Sequence, residues 1–371
     1  MGTQVTSSSL TMNSVKVNTT ELTPGNPSPS LGLISGSLYW QIMGVVLGLD
    51  IALSVFATGA NILTIIVYNR LGYTDSINIS LSALAVSDLG VAVTTIVCVL
   101  GVVLPIIPSA SFTYEIFVNL GANPHITFSR ASALITTYVS VERYLCVLLP
   151  LKVKSIFTPK RTLASMVVIF ALMFAPMPVT FLRYPMGWKY SAAKNKSVLG
   201  VLAVSNSNVM TAWYIFSTYS SMVLPILTFA IVIVNTVLLA TSLQKSKAWR
   251  DANRSQSSTT AGKKGGAFSS ETKLPEAKSK ETKAVKMVIA IATVFIVATI
   301  PSSVNMIAIM TVPGFHIGGR FSKLHSIAGM LLLGVDSANS GANVIIYLYM
   351  SSKFRNATLS ALCGKSEVRQ A

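Results

Sequence analysis

A chain of 371 residues that is 51% hydrophobic and only 11% charged is far from the roughly 25% charged composition of a soluble domain. Its mean hydropathy of +0.62 excludes an ordinary soluble enzyme and turns length into a count of membrane spans. The net charge of +17 suggests nucleic acid, but the basic residues lie between apolar runs, which is a membrane-topology pattern, so no nucleic-acid partner is expected.

Residues 1–38 are rich in Ser, Thr, Asn, Pro and Gly and read as a disordered extracellular segment without a cleavable signal peptide. Met1-Gly2-Thr3-Gln4-Val5-Thr6 fits a myristoylation pattern, read here as chance because this end is expected outside. Asn18-Thr19-Thr20 is a glycosylation sequon that suits such an end. Residues 39–350 form the membrane domain, with apolar runs at about 40–68, 77–104, 119–146, 160–182, 211–243, 284–311 and 321–350. Each is long enough to span, and the fold expected is an all-α membrane protein, a seven-transmembrane helix bundle. Residues 244–283 read as a disordered polar loop, and 351–371 as a short amphipathic helix and tail.

Charge sets the orientation. The stretches holding Arg70, Arg143 to Arg161, Lys245 to Lys283 and the tail carry twenty of the 29 Lys and Arg, against seven on the other side. The positive-inside rule then places the C-terminus in the cytosol and the N-terminus outside, in a multi-pass plasma-membrane protein. A second sequon, Asn195-Lys196-Ser197, falls outside as well. Three cysteines (Cys98, Cys146, Cys363) and three scattered histidines offer neither an outer disulfide nor a metal-ligand spacing, and no catalytic constellation stands out, so no enzyme and no catalytic cofactor are expected.

The third run ends in Glu142-Arg143-Tyr144, followed by Pro150-Leu151 and the basic cluster Lys152, Lys154, Lys160 and Arg161. An arginine beside a carboxylate is costly within a bilayer, so the triplet marks a helix's boundary with water. The seventh run carries Asp336, Asn339, Ser340, Asn343 and Tyr347 at spacings i, i+3, i+4, i+7 and i+11, a single polar stripe on one helix face. Span one holds Gly59-Ala60-Asn61 and span two holds Leu84-Ala85-Val86-Ser87-Asp88. Buried polar groups need partners, which makes these stripes either polar glue between helices or a cation site.

Together these motifs resemble the rhodopsin-like G-protein-coupled receptors over about residues 40–356, in a divergent invertebrate form of the chemosensory or neuropeptide type. The resemblance implies an allosteric sodium ion at Asp88, Ser132, Asn339 and Asn343. It implies a coupling switch made of Glu142, Arg143, Tyr144 and Leu151, with Glu281 as the acidic partner of Arg143 at rest, Phe295 and the kinking Pro301 in span six, and Tyr347 in Asn343-Val344-Ile345-Ile346-Tyr347. Ser351-Ser352-Lys353-Phe354-Arg355 fits the start of the short helix after span seven, and Cys363 is a candidate for palmitoylation. The partners implied are an extracellular ligand (a peptide or a small molecule), a heterotrimeric G protein and membrane lipids.

Departures from the family pattern are clear. Valine replaces proline at 344, Ala298-Thr299 replaces Cys-Trp, Ile233 replaces a tyrosine, and span four has no tryptophan. Val118 stands where a disulfide cysteine belongs, leaving the fold of the second outer loop open. Ser337 replaces the retinal-binding lysine, and His125 replaces the aspartate of amine receptors. Ligand binding is expected in the bundle core at His125, Arg130, Asp50 and Asp336, unless Arg130 and Asp336 merely neutralise each other. The alternative is a multi-span transporter or channel that uses the buried charges Asp50, Asp88, Arg130 and Asp336.

Overall fold

A chain in hydrocarbon must satisfy its own backbone hydrogen bonds, so the apolar runs become helices. The computed structural model describes residues 34–362 apart from Pro108, Ala193, 203–205, 261–272 and Ile317; for 118, 150, 151, 154, 246–260 and 273–282 it describes the backbone alone. Spans one and two are α1 (Gly36–Leu71) and α2 (Ser76–Val103). The third is built from α3 (Tyr114–Phe117), a π-helical turn (Val118–Ala122) and α4 (Asn123–Leu148). After the short α5 (Pro150–Ile156), the fourth consists of α6 (Pro159–Phe174) and α7 (Met177–Arg183). The fifth joins α8 (Ser207–Thr218), a second π turn (Tyr219–Val223) and α9 (Leu224–Thr260). The sixth and seventh are α10 (Lys273–Thr311) and α11 (Ser322–Met350), and α12 (Ser352–Leu362) follows.

Local sequence explains the boundaries. The Ser35 hydroxyl accepts from the Leu38 N–H at 3.2 Å and caps α1. Gly72, at φ 80°, ends it, a left-handed conformation open to glycine. Each π turn lies just before a proline, Pro124 or Pro225, whose missing N–H and bulky ring disturb the preceding turn. Pro176 and Pro178 divide the fourth span.

The bundle is polar inside and apolar outside. Val45, Leu49, Leu163, Val167, Ile226 and Val234 are exposed, whereas Asp50, Asn61, Asp88, His125, Ser140 and Asn343 are buried. Among the described residues six spans are long and apolar enough to cross a membrane, and the third is the exception. That span packs against α2, α6, α9 and α10, so it is surrounded by protein and can carry polar residues that lipid would reject.

The seven-span expectation stands, with two differences. Several helices outrun their apolar runs, because a helix continues into water once it is nucleated. The stretch 244–283, expected to be irregular, is helical up to Thr260 and again from Lys273. The second outer loop is an antiparallel hairpin, β1 (Met186–Ser191) paired with β2 (Lys196–Val201). The side chains of Leu151 and Glu281, and the whole of Asn18 and Cys363, lie outside the described residues.

Candidate functional site

Helix α4 carries three polar centres along its length. The first surrounds His125, buried to 3% exposure. Its Nε2 lies 3.2 Å from Asp336 Oδ2 on α11, an ion pair when the imidazole is protonated. The Ser129 hydroxyl donates to the same oxygen at 3.3 Å. On its other side, His125 Nδ1 is 3.2 Å from Thr95 Oγ1 and 3.4 Å from Thr94 Oγ1 on α2. Thr95 accepts from the Ser337 hydroxyl at 3.1 Å, and Ser337 meets Ser54 of α1 at 3.0 Å. A hydrogen-bonded chain therefore crosses four helices. Thr95 and Ser54 were missed in the sequence because a hydroxyl in an apolar run usually bonds its own helix backbone.

The four expected ligand residues divide in this geometry. His125 and Asp336 are joined. Asp50 is buried against Gly334 of α11, where a β-carbon would lie 2.2 Å from Asp50 Oδ1, and its Oδ2 has no hydrogen-bond partner. Arg130 lines a cavity of about 50 Å³ together with Ser129, Asp336, Asn339 and Ser302. Mutual neutralisation of Arg130 and Asp336 is not what the contacts show. Asp336 is engaged by His125 and Ser129, while no carboxylate among the described residues lies within ion-pair distance of Arg130.

The second centre is Asp88, 1% exposed. Its Oδ1 accepts from the Ser132 hydroxyl at 2.7 Å and its Oδ2 from Asn343 Nδ2 at 2.7 Å. The Ser340 hydroxyl donates to the Asp88 carbonyl at 2.8 Å, and Asn61 Nδ2 reaches Ser340 Oγ at 3.0 Å and the Ala57 carbonyl at 2.9 Å. Asn61, Asp88, Ser340 and Asn343 thus bind α1, α2 and α11 together. Asn339 lines the same cavity as Asp88 and Ser132. One carboxylate with neutral hydroxyl and amide oxygens fits a hard monovalent cation. Rotating the Asn343 amide would exchange its Nδ2 for an oxygen ligand. Among the described residues no cluster of three or more His, Cys, Asp or Glu forms a transition-metal site.

The third centre closes α4. Glu142, 1% exposed, accepts at Oε1 from Arg143 Nη2 at 2.9 Å and from the Ser76 hydroxyl at the start of α2. Glu142 Oε2 and Arg143 Nε are buried without partners. On α11, Tyr347 is 1% exposed, and its hydroxyl also lacks a partner. Its ring packs edgewise on Tyr68 and tilts against Phe354, at centroid distances of 5.8 and 5.3 Å. In α10, Phe295 packs with Ala133, Val232 and Ala292, one turn and a half before Pro301. The hydroxyls of Thr299 and Ser303 bond back to the carbonyls of Phe295 and Thr299 across this proline-weakened segment.

At the opposite end of the bundle, the hairpin is tied down without a disulfide. Lys189 Nζ pairs with Glu115 Oε2 at 2.7 Å. The backbones of Ser111 and Thr113 exchange hydrogen bonds with Leu199 at 2.8 and 2.9 Å, and Asn119 Nδ2 donates to the Tyr184 carbonyl at 2.8 Å. Asn119 adjoins Val118, where the family cysteine is absent. Asn195 occupies the hairpin turn at φ 48°, a conformation asparagine tolerates. Glu115 and Lys189 lie 74 residues apart, and no local pattern signals their pairing.

Residues 60–347 match the profile of the family described as 7 transmembrane receptor (rhodopsin family). No curated protein matches the chain.

Proposed function

Since the chain belongs to the rhodopsin family of seven-transmembrane receptors, we propose that it binds a small chemosensory molecule or a peptide from outside the cell and activates a heterotrimeric G protein. Its family consists of receptors rather than enzymes, and its place is the plasma membrane, crossed several times. In this reading the N-terminus and the hairpin face outward and the Arg143 end faces the cytosol, as the distribution of basic residues supports. The observation that carries the proposal is the placement of three polar centres on one helix, with His125 near the hairpin end, Ser132 at Asp88 and Glu142–Arg143 at the other.

The mechanism is a population shift between two bundle packings. Ligand in the core near His125, Arg130 and Asp336 binds one packing better. Sodium, held by Asp88, Ser132, Asn339 and Asn343, would supply a positive charge that opposes the burial cost of the carboxylate and favours rest. Glu281, on the first turns of α10, is the resting partner of Arg143 in addition to Glu142. Activation swings α10 about Pro301, frees Arg143, and lets Tyr144, Leu151 and Tyr347 help shape the G-protein surface. The partnerless hydroxyl of Tyr347 and Nε of Arg143 support groups that acquire new partners in the active state. Glycans at Asn18 and Asn195 and a lipid on Cys363 complete the reading.

The test is G-protein activation without ligand, in cells expressing wild type, Glu281→Ala or Arg143→Ala at matched surface levels. Raised basal activity in Glu281→Ala together with its loss in Arg143→Ala supports a coupled receptor. Equal activity in all three, with ligand-gated current instead, would favour the transporter or channel alternative.

A further inference from the structure

We propose that Arg130 anchors the carboxylate of a small organic acid in the cavity between α4, α9, α10 and α11. This deepens the receptor reading by naming the ligand class, and so rests on it. A guanidinium inside a membrane bundle needs an anion, since an unpaired buried charge is costly. Arg130 has none in contact among the described residues, and its Nε is buried without a partner.

The other charged groups on the cavity wall are already occupied. Asp336 feels Arg130 through space but touches His125 and Ser129. Asp88 has one donor on each oxygen, from Ser132 and Asn343. In the sodium-free bundle Arg130 thus faces a space whose two carboxylates are met by other donors, so the anion and the sodium ion are alternative occupants of this cavity. An entering ammonium would have to displace those donors, whereas an entering carboxylate meets a fork of N–H groups matched to its two oxygens.

The remaining wall limits the rest of the ligand. Ala133, Pro225, Phe295 and Ala298 are apolar, and Ser302 adds a hydroxyl to the wall. Thr228 and Thr299 spend their protons on carbonyls of their own helices, so they act mostly as apolar wall. A cavity of about 50 Å³ accepts a carboxylate head group with little stem and excludes a peptide.

The probes are acetate, butanoate and hexanoate, with amines and alcohols of equal chain length and with chloride, added to full-length receptor in lipid nanodiscs. Binding is read by thermal shift and by isothermal titration, with no G protein present. A short carboxylate should bind, and amines and alcohols should not. Arg130→Met should lower carboxylate affinity by about thirtyfold or more, and Arg130→Lys should retain part of it. Because Arg130→Met removes a buried charge and can disturb folding, Ala298→Phe, which leaves Arg130 in place and fills the cavity, should also abolish binding.

Amines binding better than acids, chloride matching the carboxylates, or unchanged carboxylate affinity in both Arg130→Met and Ala298→Phe would each overturn the assignment. Basal G-protein activation in the same preparations separates the two levels. Absent carboxylate binding with Arg143-dependent coupling defeats this inference alone. Carboxylate binding with no coupling defeats the receptor reading and leaves the site standing.

Discussion

Replacing Phe354 by alanine should undock α12 and leave the rest of the bundle intact. Phe354 is 1% exposed, and its ring lies 5.4 Å from that of Tyr68 on α1 and 5.3 Å from that of Tyr347 on α11. Removing a buried phenylalanine ring costs about 3–5 kcal/mol where the surroundings cannot collapse. Apart from Phe354, the buried residues of α12 are Ala357 and Thr358, which are too small to offset that loss. At 1.4 kcal/mol per tenfold, the helix should open between roughly a hundredfold and a few thousandfold more often. The assay is hydrogen–deuterium exchange of the receptor in nanodiscs. Amides of 352–362 should lose protection by that factor, while those of α1 and α2 keep theirs. Phe354→Leu should recover most of the protection. Unchanged exchange in 352–362 after Phe354→Ala, or a loss spread evenly over α1, α2 and α11, would refute the idea that one aromatic contact holds this helix.

Three further outcomes follow from contacts elsewhere. Asn61→Ala removes the amide that bridges Ala57 and Ser340, and should lower thermal stability in nanodiscs by about 1–3 kcal/mol; an unchanged melting temperature would contradict the bridging role. Gly101→Val places a β-carbon 2.1 Å from Phe117 Cβ and should cost about 1–3 kcal/mol, whereas Gly48→Ala, with nothing within 4 Å, should be neutral; equal effects would show that α2 and α3 do not pack this closely. Lys189→Ala removes a half-exposed ion pair worth up to about 1 kcal/mol, so hairpin exchange should rise several-fold at low salt and less at high salt. A reductant should leave that exchange unchanged, and a reductant-sensitive hairpin would defeat the noncovalent tether.

The spans were legible because apolarity is a local property: a run of Val, Ile and Leu reports its own solvation whatever it packs against. The end of the third span was less direct: the triplet Glu142-Arg143-Tyr144 reads as a boundary with water, yet Glu142 is 1% exposed and α4 runs on to Leu148. The polar stripe of α11 followed from helical spacing alone, and α1, α2 and α4 supply its partners in Asn61, Asp88 and His125. Pairings between distant residues carried no such signal. His125 and Asp336 are 211 residues apart, and nothing in either neighbourhood distinguishes that contact from one between Arg130 and Asp336. Residues 244–260 read as irregular because serine, threonine and asparagine lower helix propensity, which does not prevent a long helix such as α9 from running on.

The third span shows why composition and position must be taken together. Judged by hydropathy it is the span that fails, and judged by its surroundings it is the one that has no need to be apolar. Helices α2, α6, α9 and α10 shield it from lipid, so its polar side chains meet other helices instead of hydrocarbon. The same shielding makes each unsatisfied polar atom expensive, which is why His125, Ser132 and Glu142 each have a defined partner. Arg130 differs from these three: its Nε is buried without a partner and no carboxylate among the described residues is in contact with it. A group with five donors and no acid in contact raises the energy of the ligand-free bundle, and an anion that enters the cavity lowers it. If the bundle packs more closely around the bound anion in one state than in the other, that difference in affinity biases the position of α10, which forms one wall of the cavity at Phe295, Ala298 and Ser302 and bends at Pro301.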